Sequence, residues 1–375
     1  MNTPIQAAME SGDVPQDVLI SIFLRGGADG LHLVPPVADD TYHQVRPGIR
    51  VKESAALRLD GFFGLHPDLE PLHRLYHSGE MLIIHQCGNG DTTRSHFEAE
   101  DLMHHGGPLG GGWLGRFLHH TPTAGAGPLT AVSISSVVSD SLSGVPAMAL
   151  RNIDDFSLPD KDRKLRPQLA ALYASAPGRL GEAGRNTLLA LDRIAAMRSL
   201  PSPAQNGAVY PNTEFAAGLQ LIARLIRVGT GLRAATIELG GWDSHFTQLA
   251  LTSGLMPVLA QGLAAFHQDM GAAMRRTHVV VTSEFGRQVD ENVSAGTDHG
   301  SGGIFFALGG GVKGGRILAD WPTGGLASVK NSPWDIPVRH LAPHALGPIM
   351  QNIRADTPVE KIFPGLPPGA LPLYS

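Results

Sequence analysis

Six stretches of the chain are short and almost continuously apolar, the pattern of strands buried on both faces. They are residues 18–24 (VLISIFL), 81–85 (MLIIH), 129–135, 235–239 (ATIEL), 279–282 (VVVT) and 304–308 (IFFAL). Between them, apolar residues recur at helical spacing. Leu69, Leu72 and Leu75 form one such stripe, and residues 98–104 and 113–119 read as further helical patches. Leu169, Leu172 and Tyr173 begin a longer helical region. It continues through Leu188, Leu191, Ile194 and Met197 to Phe215, Leu219, Ile222 and Leu225. Leu251, Leu255, Leu259, Leu263, Phe266 and Met270 form another stripe, and a last helix is predicted over 336–346. Strands alternating with helices argue for an α/β domain with a parallel sheet. Residues 1–375 read as a single domain, with 154–230 a helical insertion within it.

The polar residues flanking the strands form the more telling pattern. Arg25, two glycines and Asp29 come directly after the first strand. A polar loop containing Arg94, Ser95 and His96 comes after the second. Gly240, Gly241, Trp242, Asp243 and His245 come after the ATIEL run. Ser283, Glu284, Phe285 and Arg287 come after the VVVT run, and Asp298 and His299 precede the last. Strand ends of a parallel sheet share one edge, where ligands bind in open α/β folds. Polar residues distant in sequence are therefore expected to meet there. Ser95 has two readings: a helix N-cap, or a nucleophile at a helix amino terminus. Likewise Asp29 is either a cap or a ligand.

Composition narrows the chemistry. The chain is 42% hydrophobic and 17% charged, with 46 Gly and 28 Pro, so it is a loop-rich folded chain with material for a large core. A net charge of -5 gives no basic footprint for nucleic acid. The single Cys87 excludes an internal disulfide. Seventeen histidines make imidazole the expected ligand or acid–base group. No basic-then-apolar leader and no apolar run of about 18 residues is evident. The expectation is therefore a cytoplasmic chain without a membrane span, or a periplasmic or exported one if a leader has been removed. Imidazoles with carboxylates suit Zn²⁺ or Mn²⁺; carboxylates alone would suit Mg²⁺ or Ca²⁺.

The segments IFLRGGADGLHLVPP, TTRSHFEAED, GGWLGRFL, GGWDSHFTQ, VVVTSEFGRQVDENVSAGTDHGSGG and ALGGGVKGGRILADWP occur in this order. Together they resemble the bacterial family labelled domain of unknown function 1501, which is similar to the alkaline phosphatase and sulfatase superfamily. The resemblance implies a three-layer α/β/α sandwich with a metal-assisted ester-hydrolase site. Carried over by motif, Asp29 would be a first-strand ligand, and Asp243, His245, Glu284, Asp298 and His299 the remaining metal residues. Ser95 would hold the nucleophile position, with Arg94 and His96 beside it in the catalytic set, His96 read as a ligand or a general acid. Beside these cluster residues, Arg94 and Arg287, with Arg25, are expected either to bind the ester's oxygens or to form surface salt bridges. Phe285 stands where the superfamily has a histidine, and only one residue separates Asp243 from His245. One well-held ion is therefore expected rather than a binuclear pair. The carboxyl-terminal PWDIPVRHLAPHALGPIM lacks the Thr-Thr-Asp start of the resemblance. The implied function is a metal-dependent hydrolase or transferase acting on a phosphate or sulfate ester, its substrate a small molecule or carbohydrate. The alternative is a degenerate, non-catalytic sugar-, polymer- or protein-binding chain on the same fold.

Overall fold

A computed structural model describes residues 16–108, 110–123, 127–154, 156–159, 164–199, 202–331 and 333–374. Its strands are β1 (Val18–Arg25), β2 (Leu57–Arg58), β3 (Gly64–Leu65), β4 (Met81–Gly88), β5 (Ala131–Ser133), β6 (Met148–Ala149), β7 (Ala234–Gly240), β8 (Thr277–Thr282), β9 (Gly303–Gly309), β10 (Ile317–Leu318) and β11 (His340–Leu341). β2 and β3 form a separate antiparallel pair. The rest make one sheet in the order β10-β4-β9-β8-β1-β7-β5-β6, with β11 also beside β4. Every described pairing in it is parallel except those of β9, which runs antiparallel to both β4 and β8. The reason is local. Parallel neighbours need a crossover, generally a helix, and no helix lies between β8 and β9.

Both faces of the sheet are covered, which explains why its strands read as continuous apolar runs. On β1, Ile20, Ile22 and Leu24 face one core with Val279, Val281, Ile237 and Phe306. Helices Glu70–His77, Gly178–Arg198, Glu214–Arg227 and Gln248–Met270 supply its other wall. Leu19 and Phe23 face the opposite core with Val280, Phe305 and Ala307. Helices Trp113–His120 and Ala342–Ile353 close that side. The architecture is a three-layer α/β/α sandwich.

Three local readings change. The predicted helix over 336–346 begins only at Ala342 and runs to Ile353. Pro343 sits in its first turn, where the missing amide costs nothing, while Pro348 is accommodated inside the helix. Within the predicted 154–230 insertion, Leu165–Ser175 has no buried residue, but Glu214–Arg227 packs against β7 and belongs to the core layer. The stretch Gln248–Arg276 is long and apolar enough to cross a membrane, contrary to the reading that no such run exists. Here it packs against Glu214–Arg227 and Glu70–His77 as a core helix.

Candidate metal centre

The carboxyl ends of β1, β4, β7 and β8 and the amino end of β9 lie on one rim of the sheet. Two glycines let them close together. Gly26 has φ 120° and Gly27 φ 62°, a region L-residues rarely adopt. A Cβ on Gly26 would lie 2.4 Å from the Asp243 amide, and one on Gly27 would lie 2.4 Å from the Phe285 ring. Arg287, with a side chain 0% exposed, stitches the loops together. It donates from Nε to the Gly27 carbonyl (2.7 Å), from Nη1 to Thr297 (2.9 Å), and from Nη2 to Gly26 (2.6 Å) and to Asp243 Oδ1 (2.7 Å).

Asp243 Oδ1 is the focus. It lies 3.3 Å from His245 Nε2, 3.5 Å from His96 Nε2 and 3.6 Å from His299 Nε2. The other nitrogen of each ring is committed elsewhere. His96 Nδ1 donates to Glu284 Oε1 (2.7 Å), and His245 Nδ1 to Asp298 Oδ1 (2.8 Å). His299 Nδ1 donates to the Arg94 carbonyl (2.6 Å). Carboxylates and carbonyls only accept here, so the Nδ1 atoms carry the protons and the Nε2 atoms present lone pairs. Two of these lone pairs, on His245 and His299, face each other at 2.8 Å. That contact requires a proton or a cation between them. His96 Nε2 is shielded from solvent and has no hydrogen-bond partner among the described residues.

This is the donor pattern of metal-binding histidines, whose second nitrogen is held by a carboxylate or carbonyl. Around a tetrahedral ion with ligands at about 2.0–2.1 Å, neighbouring donors lie about 3.3 Å apart. The separations of 3.3–3.6 Å about Asp243 Oδ1 match that edge. His96, Asp243 and His299 therefore form a set that fits a single divalent ion, with His245 Nε2 beside it, 3.3 Å from Asp243 Oδ1 and 2.8 Å from His299 Nε2. A second cluster, of His96, Glu100 and Glu284, shares the same imidazole.

Electrostatics agree with these roles. Burial opposes ionisation of Asp243, but the Arg287 hydrogen bond and charge outweigh it and hold the carboxyl below its ordinary range. Burial likewise opposes ionisation of Glu284, and the His96 hydrogen bond and nearby backbone amides outweigh it. The Glu284 hydrogen bond raises the proton affinity of His96, whereas burial lowers that of His299.

Several sequence-derived roles are redistributed. Asp29 caps the turn Gly30–Leu33 and is buried, with both oxygens bonded to Arg46 at 2.5 and 3.2 Å and one to Gln248 at 2.7 Å. It is a structural anion rather than a free ligand. Glu284 and Asp298 each hold an imidazole, at 2.7 and 2.8 Å, Glu284 also belongs to the second cluster, and His96 is common to both clusters. Arg287 is consumed by the protein and offers nothing to a substrate. Arg94 pairs with Asp335 (3.5 Å) and Arg25 with Glu100 (2.9 Å). Ser95 stands at the N-cap of helix His96–His105 with no side-chain capping bond. Among the described residues, no hydrogen bond joins its hydroxyl to the cluster. Phe285 is buried beneath the imidazoles, its ring centroid 4.9 Å from His96 and 4.7 Å from His299. Trp242 is also buried in the core.

The sequence reading missed Arg46, Gln248, Glu100 and Asp335. Arg46 lies far from any strand end and carries no local signal; Gln248 ends the GGWDSHFTQ segment but, as the first residue of its helix, reads only as part of that helix. Asp335 follows the last long strand and accepts from Ser301, so only the folded loop places it beside Arg94.

Residues 86–348 match the model of a family described as "Protein of unknown function (DUF1501)". No curated protein matches the chain. Among solved structures it is similar to the PsFucS1 sulfatase from Pseudoalteromonas sp.. The identity is 11% and the TM-score 0.35, covering 84% of this chain and 68% of that one. Likeness at that level carries no argument about chemistry.

Proposed function

The chain belongs to the DUF1501 family, whose description names no reaction, and from its site we propose a divalent-metal-dependent hydrolase of phosphate or sulfate esters. One observation carries the reading: three imidazole Nε2 atoms converge on one carboxylate oxygen while their Nδ1 protons are spent on Glu284, Asp298 and the Arg94 carbonyl. A bound ion would act as a Lewis acid toward the ester and increase the acidity of a nearby hydroxyl. His96, His299 and Asp243 hold it, with His245 beside them. Arg287 fixes Asp243, and Phe285 keeps water from beneath the rings. Ser95 is the proposed nucleophile. It immediately precedes His96, and at a helix amino terminus free amides favour developing negative charge.

The lack of any described base bonded to Ser95 favours a second reading, binding without turnover. The deciding experiment measures bound metal and ester hydrolysis together. Protein purified without chelator should hold one Zn²⁺ or Mn²⁺ per chain and cleave generic phosphate or sulfate esters. Loss of metal in His299→Ala with loss of activity supports the proposal. No bound metal under any loading would overturn it. Metal without turnover would leave the binding protein.

A further inference from the structure

Thirteen Phe, five Tyr and four Trp are present, and among the described residues only Phe97 and Phe246 are exposed, at 78% and 59%. Each directly follows a candidate ligand, Phe97 after His96 and Phe246 after His245. Consecutive Cα atoms are about 3.8 Å apart, so each exposed ring is carried on backbone that adjoins the metal centre. Val293, fully exposed, is on the loop whose Asn292 donates to the His245 carbonyl at 2.8 Å. Exposed apolar residues scattered singly need no explanation. Two aromatic rings confined to the flanks of one polar cluster do.

The charge of the site points the same way. Among the described residues, Asp243, Asp298, Glu284, Glu100 and Asp335 are matched by three guanidinium groups, those of Arg287, Arg94 and Arg25, each already paired with a carboxylate. Glu238 adds negative charge near Arg25 and Glu284. A divalent ion roughly balances this set and leaves no surplus of positive charge. A doubly charged phosphate monoester would meet repulsion there, with no free forked guanidinium to receive it.

We infer that the site takes a neutral or singly charged substrate whose flat apolar group packs between Phe97 and Phe246. The inference rests on the metal-centre reading above. Aromatic contacts of this kind add to simple area burial and favour offset or edge-on geometry.

The test measures binding, so that it does not depend on turnover. Zn²⁺-loaded protein is titrated calorimetrically with benzenesulfonate, methanesulfonate and inorganic phosphate. Benzenesulfonate should bind about tenfold or more tightly than methanesulfonate, the size of discrimination an apolar pocket supplies. The difference should shrink severalfold in Phe97→Ala/Phe246→Ala, whose exposed positions leave folding intact. Equal affinity for the two sulfonates, tighter binding of phosphate, or a preference that survives the double substitution would overturn the inference. So would self-association that the double substitution abolishes without changing sulfonate affinity. Sulfonate discrimination in a protein that hydrolyses no ester would refute the hydrolase reading and leave this one standing.

Discussion

Asp29→Ala separates a scaffold role from a ligand role at the same residue. The Asp29 carboxylate accepts from Arg46 Nη1 at 2.5 Å and Nη2 at 3.2 Å, from Gln248 at 2.7 Å and from the Leu31 amide at 3.1 Å. The Arg46 side chain is 0% exposed. Without its partner, that guanidinium would keep only the carbonyls of Val289 and Gln288. Removing one member of a buried ion pair costs about 3–5 kcal/mol, and the lost cap adds about 1 kcal/mol. Native stabilities are about 5–15 kcal/mol, so the variant should be expressed but fragile. Urea unfolding followed by tryptophan fluorescence reads the loss, and metal content is measured on the folded fraction. We expect the unfolding midpoint to fall steeply while metal content stays that of the wild type. Asp29→Ala/Arg46→Met should recover much of the stability, because no uncompensated charge remains. A change below about 1 kcal/mol, or a well-folded variant that has lost its metal, would refute the reasoning.

The same geometry yields three further outcomes. Asp298→Asn and Glu284→Gln should weaken metal binding about 10–100-fold without abolishing it, as read by competition with a chelator of known affinity; complete loss would make them ligands. Arg287→Lys cannot reproduce the forked donation to Gly26, Gly27, Thr297 and Asp243. It should cost about 3 kcal/mol in urea unfolding and weaken metal binding, and wild-type values for both would exclude the positioning role. His32 and His85 are buried, and burial pushes their pKa values down to about 3 and about 4. Between pH 6.5 and about 4 the unfolded chain binds protons that the native one does not, so stability falls with falling pH by roughly 1 kcal/mol per unit for each. Together they should remove about 4 kcal/mol between pH 7 and 5. The carboxylates of Asp29, Asp243 and Glu284, all lowered, lose their contribution only below about pH 4. Flat urea midpoints from pH 7 to 5 would contradict this assignment.

The sheet was legible because its signal is local. β1, β4, β7, β8 and β9 are buried on both faces, so each had to be a short apolar run, and each extends its sequence reading by only a residue or a few. The edge elements were not legible. β6, β10 and β11 are two-residue pairings set by neighbouring chain, with little apolar pattern of their own. Much of the site was legible too, since glycine-flanked polar clusters follow strand after strand. Yet the roles within it were not. Asp29 and Glu284 look alike in sequence, each a carboxylate just past a strand. One is answered by Arg46 and the other by His96.

By itself, then, the sequence determined which segments are strands, which rim is polar, and that imidazole and carboxylate would meet there. Periodicity and the absence of an interior place for unpaired polar groups suffice for that. The tertiary structure decided which nitrogen of each histidine is free, which carboxylate each imidazole pairs with, and which arginines are already spent. Those are questions of partners that are mostly tens to hundreds of residues away, and no short window along the chain contains both members of such a pair.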